Sequence, residues 1–253
     1  MFKIAQRTTF GALLLLLMPA AFWLTNWQWQ PNETPASVLK FFFIMTETVT
    51  RPWGILTSVL LSSWVLWCLR FRLKPAVLLL IIMNGAILTG QYTKSWIKEQ
   101  VQEPRPFVLW LEKQHGVDET AFYQLKRQQR GEMVSSLLAR DTQLPDWLKS
   151  HWAFETGFAF PSGHTLFAVS WALLAIGLLW PRRHIKTVVV LFIWAGMVME
   201  SRLLLGMHWP QDLAVATLIA WLLVTVATWL AQRFCGPLTV PSVEHQEIRE
   251  RQQ

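Results

Sequence analysis

The chain has 253 residues, of which 53% are hydrophobic and 15% charged, with a mean hydropathy of +0.30. Soluble domains are about one-quarter charged, and here the apolar residues gather into long runs, which argues against a soluble domain and for a polytopic membrane protein. The net charge of +7 does not indicate nucleic acid, because much of it sits in short segments between apolar runs, as membrane topology requires.

In chain order, residues 1–8 carry Lys3 and Arg7 and lead into an apolar run over 9–24. The basic start and the small Ala20 and Ala21 give it the build of a signal peptide, but an uncleaved first span is the expectation. Residues 25–50 are predicted to be an external loop with an interfacial helix around 38–43. Pro52 opens a second run, 53–69, closed by Arg70, Arg72 and Lys74. Pro75 opens a third, 76–95. A polar segment, 97–160, carries charges of both signs. The fourth run covers 162–180 and is followed by Arg182, Arg183 and Lys186; the fifth is 187–205 and the sixth 211–230. The tail from Gln232, with Pro237 and Pro241, is expected to be poorly ordered.

Each run is about long enough to cross a hydrocarbon core of roughly 30 Å. The short basic segments alternate so that all fall on one side, which places them and both termini in the cytoplasm. The long 97–160 segment then lies outside, and long loops escape the positive-charge rule. Patchy periodicity over 117–140 (Phe122, Leu125, Met133, Leu137) predicts one or two helices lying on the membrane or over the site, with Lys126, Arg127 and Arg130 on a solvated face in preference to lipid headgroups. Cys68 and Cys235 have neither metal nor redox spacing and read as packing residues. Several of the sixteen tryptophans flank apolar runs, as interfacial anchors do. The expected fold is all-α: a single integral-membrane unit over 1–253 with six spans and a helical periplasmic segment between the third and fourth.

Polar residues at the edge of an apolar run are costly unless paired or used. Arg202, His208 and Asp212 occupy such an edge, between the fifth and sixth runs. His208 and Asp212 are four apart, and Asp212 falls in the first turn of a helix opened by Pro210. An Asp that accepts a hydrogen bond from one ring nitrogen leaves the other free to attack. Counting spans brings three further features to the same outer layer: Lys98 and Arg105 after the third run, and Ser162, Gly163 and His164 at the start of the fourth. Ser162 is placed as an N-cap. The N–H groups of Gly163 and His164 would point out of the helix start with the favourable end of its dipole, and Gly163 would let a ligand approach closely. With Lys98, Arg105 and Arg202 around one point, the layer describes a pocket for a phosphate group with about two negative charges.

In that pocket His208, oriented by Asp212, is the candidate nucleophile, attacking phosphorus to form a phosphohistidine. His164 is the candidate general acid, and then the base for the water that hydrolyses the intermediate. The cations and the helix terminus would stabilise charge on the equatorial oxygens. No carboxylate cluster in this layer suits magnesium, so turnover with no metal and no cofactor is expected. His115, His151, His184 and His245 read as solvated, and Glu200, beside Ser201, has no evident role.

These residues resemble a known family. Lys98, Arg105 and Pro106 (K-x6-R-P), Pro161 to His164 (P-S-G-H), and Ser201, Arg202, His208 and Asp212 (S-R-x5-H-x3-D) are similar to the three signature motifs of the type 2 phosphatidic acid phosphatases, complete and in order. The resemblance implies metal-independent lipid phosphate hydrolysis at the outer face of a bacterial inner membrane. By family role, Lys98, Arg105, Ser162, Gly163 and Arg202 hold phosphate, His164 is the acid, His208 the nucleophile and Asp212 its partner. It also implies a range of substrates, among them phosphatidylglycerol phosphate, phosphatidate, lysophosphatidate, diacylglycerol pyrophosphate and undecaprenyl pyrophosphate. The expected partners are membrane lipid phosphates and the bilayer, with no nucleic acid and no obligate protein partner. Three alternatives compete. A phosphotransferase would use the same site with another acceptor. A vanadate haloperoxidase would share the pocket but not the six spans. A transporter would hold its polar groups near the bilayer midplane.

Overall fold

The computed structural model describes residues 2–31 and 33–236, and among them every regular element is helical. Helix α1 (Phe2–Leu24) is followed by α2 (Ala36–Glu47), which starts after Pro35. Helix α3 (Trp53–Leu69) starts after Pro52 and ends at Arg70 in the left-handed region, φ 49°. Helix α4 (Leu73–Val101) ends in the same way at Gln102, φ 52°, just before Pro104. Four short helices follow: α5 (Pro106–His115), α6 (Glu119–Gln124), α7 (Arg127–Leu137) and α8 (Asp146–Phe154). Helices α9 (Gly163–Leu178), α10 (Ile185–Leu204) and α11 (Pro210–Phe234) complete the chain, with a 3-10 turn at Trp180–Arg182 before α10.

Helix α9 is the axle. It is apolar all round, and every residue from Thr165 to Leu178 is buried, as expected of a helix enclosed by others. It packs against α1, α3, α4, α10 and α11. The buried stripe of α11 includes Ala216, Ala220, Ala227 and Ala231, small residues that let helices approach closely. The outside of the bundle is the reverse of a soluble protein. Leu13, Ile55, Trp67, Ile81, Leu88, Val190 and Leu222 are all exposed, a surface that water would not tolerate over such an area. By length and composition, α1, α10, α11 and the helix that begins at Leu73 can cross a membrane; α3 and α9 are shorter apolar helices of 17 and 16 residues. Helix α1 is keyed into the bundle by Thr8 Oγ1, 2.7 Å from Thr225 Oγ1, and by Thr9 Oγ1, which accepts from Trp221 Nε1 at 3.1 Å.

A second core caps one end of the bundle. Phe107, Leu111, Phe122, Val134, Leu138, Leu148 and Trp152 pack there with Leu39 of α2 and with Leu205 and Met207. Trp152 stacks on Phe107, ring centroids 5.1 Å apart. The last carbonyls of a helix lack partners within it. At the end of α10 two indoles supply them: Trp29 Nε1 donates to Leu204 O and Trp152 Nε1 to Leu205 O, each at 2.9 Å. The cap is thereby pinned to the chain just before His208.

The structure adjusts the sequence reading in four places. The third run is a longer helix, so Lys98 lies in the last turn of α4 rather than after it. The interfacial helix is longer than 38–43 and packs on α10. The 117–140 segment is two helices whose phase resets at Leu125 and Lys126, so Val134 and Leu138 are buried in the core, with Met133 packed partly buried against it. Helix α11 includes Gln232; Pro237, Pro241 and His245 lie outside the described residues.

Candidate active site

The turn between α10 and α11 presents the first histidine. Gly206 adopts φ 68°, and the Trp29 ring would lie 2.6 Å from a Cβ there, so both conformation and space call for glycine. The chain then doubles back, and the N–H groups of Met207 and His208 donate to Arg202 O at 3.1 and 3.0 Å. Pro210 opens α11, which makes Asp212 its third residue, and Asp212 Oδ2 accepts from Trp209 N at 2.9 Å. The same oxygen accepts from His208 Nδ1 at 2.9 Å. That bond fixes the proton on Nδ1 and leaves Nε2 as a free lone pair. Burial, then the Arg105 and Lys98 cations, push the His208 imidazole well below its ordinary pKa, so it is neutral at physiological pH.

The second histidine stands at the start of α9. Ser162 caps this helix, its Oγ accepting from Thr165 N at 3.3 Å. His164 Nε2 lies 3.1 Å from Thr50 Oγ1 and 3.2 Å from Glu155 Oε1. Because Thr50 gives its own hydroxyl proton to Thr46 O at 3.1 Å, its oxygen accepts and His164 carries its proton on Nε2. Gly163 matters sterically: a Cβ there would meet Lys94 Cδ at 2.8 Å and displace that side chain.

Between the histidines runs a cleft of about 1260 Å³. His164, His208, Lys94, Lys98, Arg105 and Gly163 line one end. The other end runs between α3 and α4, past Ile55, Ser58, Asn84, Ile87 and Leu88. From Asn84 to Lys98 the lining follows α4 for roughly 20 Å at about 1.5 Å per residue. The cleft is therefore cationic at the cap and apolar within the bundle. A smaller pocket of about 200 Å³, between Trp29, Pro35 and Leu144, has no ionisable lining and lies apart from the histidines.

The predicted site residues converge, but not all on the cleft wall. Lys98 reaches the wall while its Nζ donates to Phe158 O and, at 2.7 Å, to Ala159 O. Arg105 donates through Nε to Gly157 O at 2.6 Å and approaches Glu155 Oε2 through Nη1 at 3.3 Å. Ser162, Arg202 and Asp212 lie behind the wall, fully buried. Arg202 is committed on several sides: Nη2 to Glu155 Oε2 at 2.7 Å, and Nη1 to Thr46 Oγ1 at 2.8 Å and His151 Nε2 at 3.3 Å.

Glu155 is the residue the sequence reading missed. It bridges Arg105, Arg202 and His164 from just after α8. Burial opposes its charge, but Arg202 and the other positive neighbours outweigh that and hold it well below the usual carboxylate range. His151 corrects the expectation of a solvated side chain. It is buried, with Nδ1 3.8 Å from Glu47, and burial lowers its pKa to about 4. The spacing of His151 and Glu155, four apart in an otherwise apolar stretch, was the available signal. Lys94 was legible in the same way, one helical turn before Lys98.

Comparison with known proteins places the chain in a family. The family description "PAP2 superfamily" matches residues 77–234, which contain all three motifs and both histidines. The chain belongs to the PAP2 superfamily. Among its relatives is a protein from Escherichia coli (strain K12) named "Phosphatidylglycerophosphatase B", 61% identical over 251 residues, 99% of this chain and 98% of that one. A protein of the same name from Haemophilus influenzae is 36% identical over 227 residues, 87% and 93% of the two chains. In this PAP2 chain the motif residues Lys98, Arg105, Gly163, His164 and His208 line the cap-side end of the cleft, with Ser162, Arg202 and Asp212 buried behind them.

Proposed function

We propose that the chain is a metal-independent lipid phosphate phosphatase that converts phosphatidylglycerol phosphate to phosphatidylglycerol and inorganic phosphate. The observation that carries this reading is the cleft. A neutral, Asp-oriented histidine sits where cationic lining gives way to a long apolar groove, which suits one end of a lipid to each part. The names of the full-length relatives support the same substrate. In the first step His208 Nε2 attacks phosphorus and the bond to the glycerol oxygen breaks. His164 protonates that oxygen through Nδ1, because its Nε2 is held by Thr50 and Glu155. In the second step water attacks the phosphohistidine, giving its proton to His164, and the P–N bond breaks. Lys98 and Arg105 face the phosphate, and Arg202 holds Glu155 and the cap in place. The first step therefore uses the doubly protonated His164 ring, whose Nε2–H stays on Thr50 beside Glu155.

By this reading six helices, α1, α3, α4, α9, α10 and α11, span a bacterial inner membrane, with cytoplasmic termini and the cap on the periplasmic side. The whole chain works as one unit. Since the cationic end reads only phosphate, phosphatidate, lysophosphatidate, diacylglycerol pyrophosphate and undecaprenyl pyrophosphate are further substrates, their tails lying between α3 and α4. Bulk placed there, as in Ile55→Trp and Leu88→Trp, is expected to suppress turnover of long-chain substrates and spare a short soluble phosphate ester. Equal loss on both would remove the groove from the mechanism.

The decisive experiment is phosphate release from phosphatidylglycerol phosphate in detergent with EDTA. Wild type is expected to keep full activity. His208→Ala should lose more than about 10⁴-fold, and His164→Ala roughly 10²–10⁴-fold. A requirement for magnesium would overturn the metal-free chemistry, and activity surviving His208→Ala would overturn the nucleophile.

A further inference from the structure

Asp212 uses only one of its two oxygens on His208 and the Trp209 N–H. The other, Oδ1, is buried and has no hydrogen-bond donor among the described residues. The same is true of Glu103 Oε2, and the two carboxyl groups touch side chain to side chain. Glu103 is firmly held for this contact. Its Oε1 accepts from Gln211 Nε2 at 3.0 Å, its backbone carbonyl accepts from Ala159 N at 2.8 Å, and the next carbonyl, Pro104 O, accepts from Trp209 Nε1 at 2.9 Å.

Two ionised carboxylates in contact within a buried site repel strongly, and two orphaned buried oxygens each carry a desolvation cost. One proton between them removes both problems. We propose that Glu103 is a positioning residue for His208, sharing a single proton between its Oε2 and Asp212 Oδ1. The shared proton ties down the far side of Asp212, so that Oδ2 stays aimed at the imidazole Nδ1–H. The pair carries one negative charge, which is enough to keep the His208 tautomer without adding a second anion beside an incoming phosphate. Glu103 is not part of the cleft lining, so it acts through Asp212 and not on substrate.

This inference rests on His208 as the nucleophile, and the test separates the two. Phosphate release from phosphatidylglycerol phosphate is measured on the full chain in detergent for wild type, His208→Ala, Glu103→Leu, Glu103→Asp and Glu103→Gln, with thermal unfolding alongside. Glu103→Leu is expected to lower kcat roughly ten- to a hundredfold at unchanged KM, because Oδ1 loses its only partner. Glu103→Asp, which withdraws the acid by one methylene, should behave like it. Glu103→Gln should stay within about threefold of wild type, since its amide N–H donates to Oδ1 while its oxygen still accepts from Gln211. A purely structural role would show in the unfolding curve and not in this rescue pattern. Full kcat in Glu103→Leu, a loss confined to KM, or a Gln variant as impaired as Asp would each overturn the shared proton. An active His208→Ala would instead overturn the nucleophile assignment.

Discussion

The two histidines face one cleft, but one is held from within its own helix start and the other by groups from separate elements. His208 is held by Asp212, four residues away, within a single helix start. His164 is held by Thr50 from the turn between α2 and α3 and by Glu155 from the cap, and Glu155 in turn binds Arg105 and Arg202. The His208–Asp212 bond itself is a local device that any correctly started α11 would form, and Glu103 is added to it by the fold. The His164 wall exists only when α2, α8, α9 and α10 have all docked. The nucleophile's partner therefore contributes chiefly to chemistry, whereas the acid's partner joins the cap to the bundle as well.

The strongest way to break that contrast is to remove the two carboxylates separately. Glu155→Ala leaves Arg202 fully buried without its counter-charge, and removing one partner of a buried pair costs about 3–5 kcal/mol. Its thermal midpoint in detergent should fall accordingly, together with activity. Asp212→Asn should lower kcat strongly while shifting the midpoint far less. Similar midpoints for the two variants would mean that Glu155 does not join the cap to the bundle.

A smaller effect sharpens the comparison through pH. His151 accepts from Arg202, and its folded pKa of about 4 lies below the ordinary value of about 6.5. Below pH 6.5 the unfolded chain takes up a proton that the folded chain does not. The stability contributed by neutral His151 is thus complete above pH 6.5 and is lost as pH falls toward 4, on the order of 3 kcal/mol. His151→Gln, which can still accept from Arg202, should flatten the decline of the thermal midpoint across that window. An unchanged slope would show that His151 protonation does not limit the cap.

Much of this protein was legible in one dimension. Apolar runs and prolines marked the helices of the bundle. The fixed spacings of Ser162 to His164 and of His208 to Asp212 placed a cap and a hydrogen-bonded His–Asp pair within single helix starts, where backbone geometry alone decides who meets whom. Span counting also brought Lys98 and Arg105 to the right end. The tertiary structure decided the rest. It put Arg202 behind the cleft wall instead of on it, buried His151 where a solvated residue was expected, and set Glu103 against Asp212. It also made Glu155 the common partner of two arginines and a histidine. The contacts of Arg202 join residues about 50 to more than 150 positions apart, and no helical period carries across the turns between them. What chose them was desolvation: a guanidinium or carboxylate enclosed by the packed cap must find an opposite charge or a hydrogen bond there, and only the docked helices determine which one is within reach.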